Sequence, residues 1–155
     1  QYFKAVERSR MTEAVTLLSN IASAQQRKYL QINAYAKDYR GLDVAPAGAT
    51  GNVYFTKGDV TKGTGGNGFK VTLSTATAYT TGNATAERET NGKTNDPGLN
   101  YQYKLTRFYA SDLTQCDASK KNGQALCADF CGIDTPAATC CSNGKTKCDA
   151  PKDGN

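Results

Sequence analysis

Apolar residues recur at helical spacing along the first 36 positions. At 100° per residue, Phe3, Val6, Ala14, Leu17, Leu18, Ile21, Ala24, Tyr29, Ile32, Tyr35 and Ala36 fall on an arc of roughly 140°. Lys4, Arg8, Thr12, Thr16, Ser19, Ser23, Gln26, Arg27 and Asn33 lie off it. No Gly or Pro interrupts the stretch, so the pattern predicts one amphipathic helix over residues 1–36. Some thirty residues make a helix ~45 Å long, longer than a domain of this size is wide. Glu7 and Arg10 break the arc near its start, as an i,i+3 pair of opposite charge. From Met11 onward only Gln25 and Lys28 break it. The pattern therefore predicts core packing over residues 14–36, with Ala14, Leu17, Leu18, Ile21, Tyr29 and Ile32 turned to the sheet. It predicts that residues 1–10 lead away from that core.

Residues 37–51 form a turn-rich connector holding Gly41, Pro46, Gly48 and Gly51. Beyond it the period changes to two. Val53 and Phe55 alternate with Asn52, Tyr54 and Thr56; Phe69, Val71 and Leu73 alternate with Lys70, Thr72 and Ser74; Tyr101, Tyr103 and Leu105 alternate with Gln102, Lys104 and Thr106. Gly82-Asn83 reads as a two-residue hairpin loop between weaker strands at about 76–81 and 84–90. The sum is an antiparallel meander of about four strands in residues 52–109, with one apolar face for the helix to cover. Tyr54 and Phe108 fall on the opposite strand face from their neighbours, which makes them candidates for contact with another subunit or a covering loop. From residue 110 the periodicity vanishes, leaving a cysteine-rich region over 110–155. The fold class is α+β in a single domain, 1–155.

Six cysteines, Cys116, Cys127, Cys131, Cys140, Cys141 and Cys148, all lie in the last quarter or so of the 155-residue chain. An even, dense set in a small domain reads as disulfides formed in an oxidising compartment. Zinc fits poorly, because no C-x2-C pair and no His is present. A bridge between adjacent Cys140 and Cys141 is disfavoured by the geometry of the intervening peptide. Otherwise the pairing stays open. The chain starts with Gln1 and shows no signal peptide, so an N-terminal segment is expected to have been removed upstream of it.

Composition narrows the function classes. Hydrophobic residues make up 38% and charged residues 21%, a surface-rich mixture without the charge excess of disorder. No apolar run is long enough to span a bilayer. Of the net charge of +5, four units reside in residues 1–40, where seven Lys/Arg face three Asp/Glu. It reads as a solvated helix face, because no aromatic-laced basic patch accompanies it, and no nucleic-acid partner is expected. With no His in the chain, nucleophilic catalysis lacks its usual base. Gly63, Gly65, Gly66 and Gly68 lead into a strand and not a helix, unlike a phosphate loop. Asp117, Asp129, Asp134, Asp149 and Asp153 form no calcium-loop pattern. The chain is read as no enzyme, with no cofactor and no metal. Asn83-Ala84-Thr85 matches the N-glycosylation acceptor pattern, which makes Asn83 a possible modification site.

The ordered residues of the first segment carry a resemblance. Tyr2 beside Ala5, the AVERSRMTEA run at 5–14, the Ala-Gln-Gln-Arg-Lys-Tyr-Leu run at 24–30, Asn33-Ala34-Tyr35-Ala36 and Leu42-Asp43-Val44 together resemble the soluble half of the long helix of bacterial type IV pilins and type II secretion pseudopilins. The likeness covers about residues 1–45. It implies a structural subunit that self-associates into a helical surface filament, a pilus or fimbria serving adhesion and motility. It also implies an apolar helix half upstream of Gln1, anchored in the inner membrane before assembly and handled there by pilus assembly machinery. Tyr2, Phe3, Val6, Glu7 and Arg10 would then be positions where helices pack in the filament, and the chain from Gln1 onward would be monomeric. A pseudopilin, or a minor pilin or adhesin whose cysteine region binds a ligand, are the alternatives. Three bridges exceed the family's usual cysteine complement.

Overall fold

The computed structural model describes residues 2–58, 68–90 and 97–152, the side chains of Tyr2, Phe3 and Pro97 excepted. Helix α1 spans Tyr2–Ile32 without a break. It stops short of the predicted Ala36 because Asn33 turns left-handed (φ 57°) while its N–H still donates to the Tyr29 carbonyl at 2.8 Å. Asn tolerates that conformation at a helix end better than most side chains. Tyr35 and Ala36 are buried all the same, reaching the core from the following loop. A 3-10 turn at Tyr39–Gly41 follows, capped by the Asp38 carboxylate, which accepts from the Arg40 N–H.

The sheet has six strands, two more than the periodicity predicts: β1 Val53–Phe55, β2 Phe69–Leu73, β3 Asn83–Arg88, β4 Tyr103–Phe108, β5 Thr114–Ala118 and β6 Thr139–Cys141. All pair antiparallel in chain order. Short helices α2 (Pro97–Tyr101) and α3 (Lys121–Cys131) complete the domain. The extra strands and α3 fall in the region from residue 110 onward, where polar and cysteine positions hide an alternation that the burial of Thr114, Cys116 and Ala118 makes plain.

Two strand assignments are corrected. Residues 76–81 form bends and a turn, and β3 begins at Asn83 itself, paired with Phe108. Gly82 serves close packing and not a hairpin: a Cβ there would collide with the rings of Tyr35 and Tyr109. In β1, Tyr54 pairs with inward Val71 and packs on the core, so Val53 and Phe55 take the outer face, the reverse of the predicted alternation. The glycines at 63, 65 and 66 lie outside the described residues.

Helix α1 crosses β3 and β4 on the inner face. Small residues let it approach: Ala84 and Ala86 on the sheet and Ala14 on the helix are all buried. Leu18, Ile21, Val71, Leu73, Leu105 and Phe69 fill the space between. Leu17 and Tyr29 are partly buried against this core. Ile32 is not part of it, being 56% exposed beyond the reach of the sheet.

The disulfides are Cys116–Cys127, Cys131–Cys140 and Cys141–Cys148. They bind α3 to β5 and to β6, and β6 to the loop that follows it. Adjacent strand residues face opposite sides. Cys140, opposite inward Cys116, therefore reaches α3, while Cys141, opposite outward Gln115, reaches Cys148. Removing Cys131–Cys140 by paired Ser substitution is expected to cost about 3 kcal/mol, the loop-closure value for a ring of this size. Hydrogen exchange should then show protection lost first in α3 and β6, with the middle of α1 retained.

Candidate assembly surface

Along α1 the residues at 7, 11, 14, 18, 21 and 25 are buried, at alternating steps of four and three. The middle four are Met11, Ala14, Leu18 and Ile21. The two ends of the stripe are polar, and each is an anchor.

At the first end, Glu7 is fully buried. Its carboxylate accepts two parallel bonds from Arg88, Nε to Oε2 at 2.7 Å and Nη2 to Oε1 at 3.0 Å. It also accepts one from the Tyr103 hydroxyl at 2.7 Å. The partly exposed Arg10 guanidinium lies 3.7 Å from the same carboxylate. Arg88 further donates to the Gly68 and Glu89 carbonyls and lies over the Phe69 ring. The expectation that residues 1–10 lead away from the core is thus corrected at Glu7. A carboxylate can sit there because a bidentate guanidinium and a phenol replace the water it loses. Val6 and Arg10 are half-buried, and the side chains of Tyr2 and Phe3 lie outside the described residues.

At the other end, Gln25 imitates a strand neighbour. Its Oε1 accepts from the Ala36 N–H at 2.7 Å and its Nε2 donates to the Ala36 carbonyl at 3.0 Å, with the Tyr109 hydroxyl 3.3 Å away. Next to it, Gln26 donates to the Tyr109 carbonyl at 2.6 Å. Tyr29, Tyr35, Tyr79 and Tyr109 stack around this anchor with centroids 4.8 to 5.4 Å apart. Outside it, the exposed Arg27–Asp43 pair, at 2.7 and 2.8 Å, ties the connector back onto the helix and holds the Asp43 carboxyl below its usual range.

Burial gives this core a pH limit. It raises the Tyr35 phenol to about 12, with Tyr79 and Tyr29 adding to the effect, and it raises Tyr39, Tyr103 and Tyr109 further, Tyr103 also through Glu7. Unfolded phenols titrate near 10. Below that pH both states keep their protons and the stabilisation is whole; as pH rises from about 10 to 12 the unfolded chain loses protons that the folded one keeps, and stability falls. Urea midpoints measured from pH 8 to 12 should be flat at first and then decline.

The face of α1 opposite the stripe is uncovered. Ala5, Ser9, Glu13, Thr16 and Asn20 are all exposed, so the first twenty residues of the rod offer a mainly small and polar side outward, while Arg27 on the same face carries the connector through Asp43. Loops turn back onto both sheet edges and occupy part of each. At β1, Thr50 and Val53 exchange both backbone bonds and the Phe55 carbonyl accepts from Gly58. At β6, the Cys141 N–H donates to the Lys145 carbonyl and its carbonyl accepts from Gly144. Backbone groups occupied in this way are withdrawn from pairing with a further strand. Phe108 stands on the outer face, half-buried opposite Asn83, whose Nδ2 donates to the Thr81 carbonyl. Among the described residues no cluster of three His, Cys, Asp or Glu is placed to hold a metal, and no helix is long and apolar enough to cross a membrane.

Arg88 and Tyr103 went unread as partners of Glu7. The available signal was parity: Arg88 continues the inward series Ala84 and Ala86, and an inward arginine needs an acid above it. No family model, curated protein or solved structure matches the chain.

Proposed function

We propose that this chain is the globular part of a type IV pilin-like subunit, a structural protein of a surface filament. The observation that carries the reading is the helix: an unbroken 31-residue rod covered by its own domain along one stripe and bare along the opposite face. A rod of that kind suits lateral packing with further rods. The loops folded back onto the sheet edges support the same route, since they shorten the edge open to strand addition. The ordered resemblance of residues 1–45 supports it from the sequence side. On this reading the helix continues upstream of Gln1 as an apolar stem, held in the inner membrane until the assembly machinery extracts it. The mature subunit is extracellular, where three disulfides keep the domain intact. Glu7 then acts inside the subunit, fixing the angle between rod and sheet. The contacts between rods fall to the bare face, with Val6 and Arg10 at its border.

Negative-stain microscopy of the producing cells, with and without the gene, tests this. Filaments should disappear on deletion and return on complementation. Filaments unchanged in number and width would count against a major-subunit role.

A further inference from the structure

Most charges in the first twenty residues of α1 are engaged within the domain. Lys4 meets Asp129 at 2.9 Å, Glu7 is buried against Arg88, and Arg10 lies 3.7 Å from Glu7. Arg8 and Glu13 are left over. Both are exposed, and among the described residues neither has an ion-pair partner. Five positions at 100° per residue set them about 140° apart around the axis. Arg8 stands on the flank toward α3, in the wall of a cleft with Leu126 and Phe130. Glu13 stands on the other flank, with the exposed Ala5, Ser9 and Thr16 between the two. The bare strip is therefore bounded by a lone cation on one side and a lone anion on the other.

We infer that this strip is complementary to itself: in neighbouring parallel copies of the chain, Arg8 of one pairs with Glu13 of the next, and the pair sets their axial offset. The inference rests on the filament reading and names its subunit contact. Parallel rods side by side turn opposite flanks to each other, so the two charges can meet at every successive pair of copies. Residue 13 lies ~7.5 Å further along the axis than residue 8, and each copy is displaced from the last by roughly that distance. Each chain spends Arg8 on one neighbour and Glu13 on the other, a heterologous contact that propagates and does not close on a dimer. Charge complementarity favours a second copy over an unrelated partner, because an acidic or a basic surface would match one of the two charges and meet the other with its own sign. The small side chains between them leave room for a second rod at close range. One exposed ion pair contributes little by itself. Repeated along a seam that other contacts hold, it selects register, since a shifted neighbour leaves both charges unpaired.

The test exchanges the charges in producing cells. Arg8→Glu and Glu13→Arg should each cut filament number by about tenfold or more, and the double variant, which restores opposite signs, should return it to within about twofold of the parent. Both sites are exposed, so the isolated single variants should keep the parent's melting temperature. A second readout combines Arg8→Cys with Glu13→Cys in one chain. The native cysteines are all bridged, so a short bismaleimide applied to filaments should join the new thiols into a ladder of dimers, trimers and higher species on a denaturing gel. Normal filaments from either single reversal overturn the contact, as does a double variant no better than the singles. A ladder that is absent or stops at the dimer overturns it too, and so does a lowered melting temperature, which would place the charges' role inside the subunit. All of these leave the filament reading standing. Filaments that lack this chain overturn that reading itself.

Discussion

Ile21→Asp is expected to abolish the folded domain. Ile21 is 3% exposed, in the middle of the stripe that α1 lays across the sheet. The apolar side chains of the same core, among them Leu18, Leu73, Ala84, Ala86 and Leu105, offer no donor to a carboxylate. An unpaired charge there must either desolvate or bind a proton, and on top of that the packing of the isoleucine is lost. Together these put the cost above about 4 kcal/mol, a large share of the 5–15 kcal/mol that holds a typical domain together. Far-ultraviolet circular dichroism and a thermal melt check it. A cooperative melt within a few degrees of the parent would mean that α1 does not seat on the sheet at this position. Ile21→Val, which keeps the shape and trims one methyl, should cost about 1 kcal/mol.

Glu7→Ala is expected to cost about 3–5 kcal/mol, the usual penalty for leaving one partner of a buried ion pair behind. Arg88 is fully buried in its side chain and would lose two charge-assisted bonds, and the Tyr103 hydroxyl would lose its acceptor. Glu7→Gln preserves the shape and one acceptor and should cost less. The informative comparison is Glu7→Met with Arg88→Met: a buried pair replaced by apolar residues of similar volume is often neutral. The double variant should therefore recover most of the loss suffered by either single one, as read from urea midpoints in a double-mutant cycle. Additive losses would show that the two residues do not act as a pair.

Much of the architecture was legible in the residues. The helical arc, the change of period after residue 51, the alternation in β2 and β4 and the oxidised cysteines all follow from spacing, because each element buries one face against another. What was not legible depends on contacts between distant segments. Glu7 and Gln25 stood out as breaks in the arc, but a polar residue on an apolar face looks the same in sequence whether it marks a free end or a buried anchor. Only the arrival of Arg88, Tyr103 and Ala36 decides which. β1 inverted its faces because at a three-residue edge strand the large Tyr54 ring wins the core position over Val53 and Phe55. The region after residue 110 concealed two strands and a helix, since disulfides supply cohesion there that apolar periodicity supplies elsewhere. Ile32 fell on the right arc and still lies outside the core, because the sheet ends before the helix does.

The most direct test of the account is cryo-electron microscopy of filaments sheared from the producing cells. The reading predicts density for this domain at every subunit position, with the face of α1 bearing Ser9, Thr16 and Asn20 turned toward the filament axis and the sheet toward solvent. Filaments built from another protein, or subunits of this one whose bare helix face looks out into solvent, would contradict it.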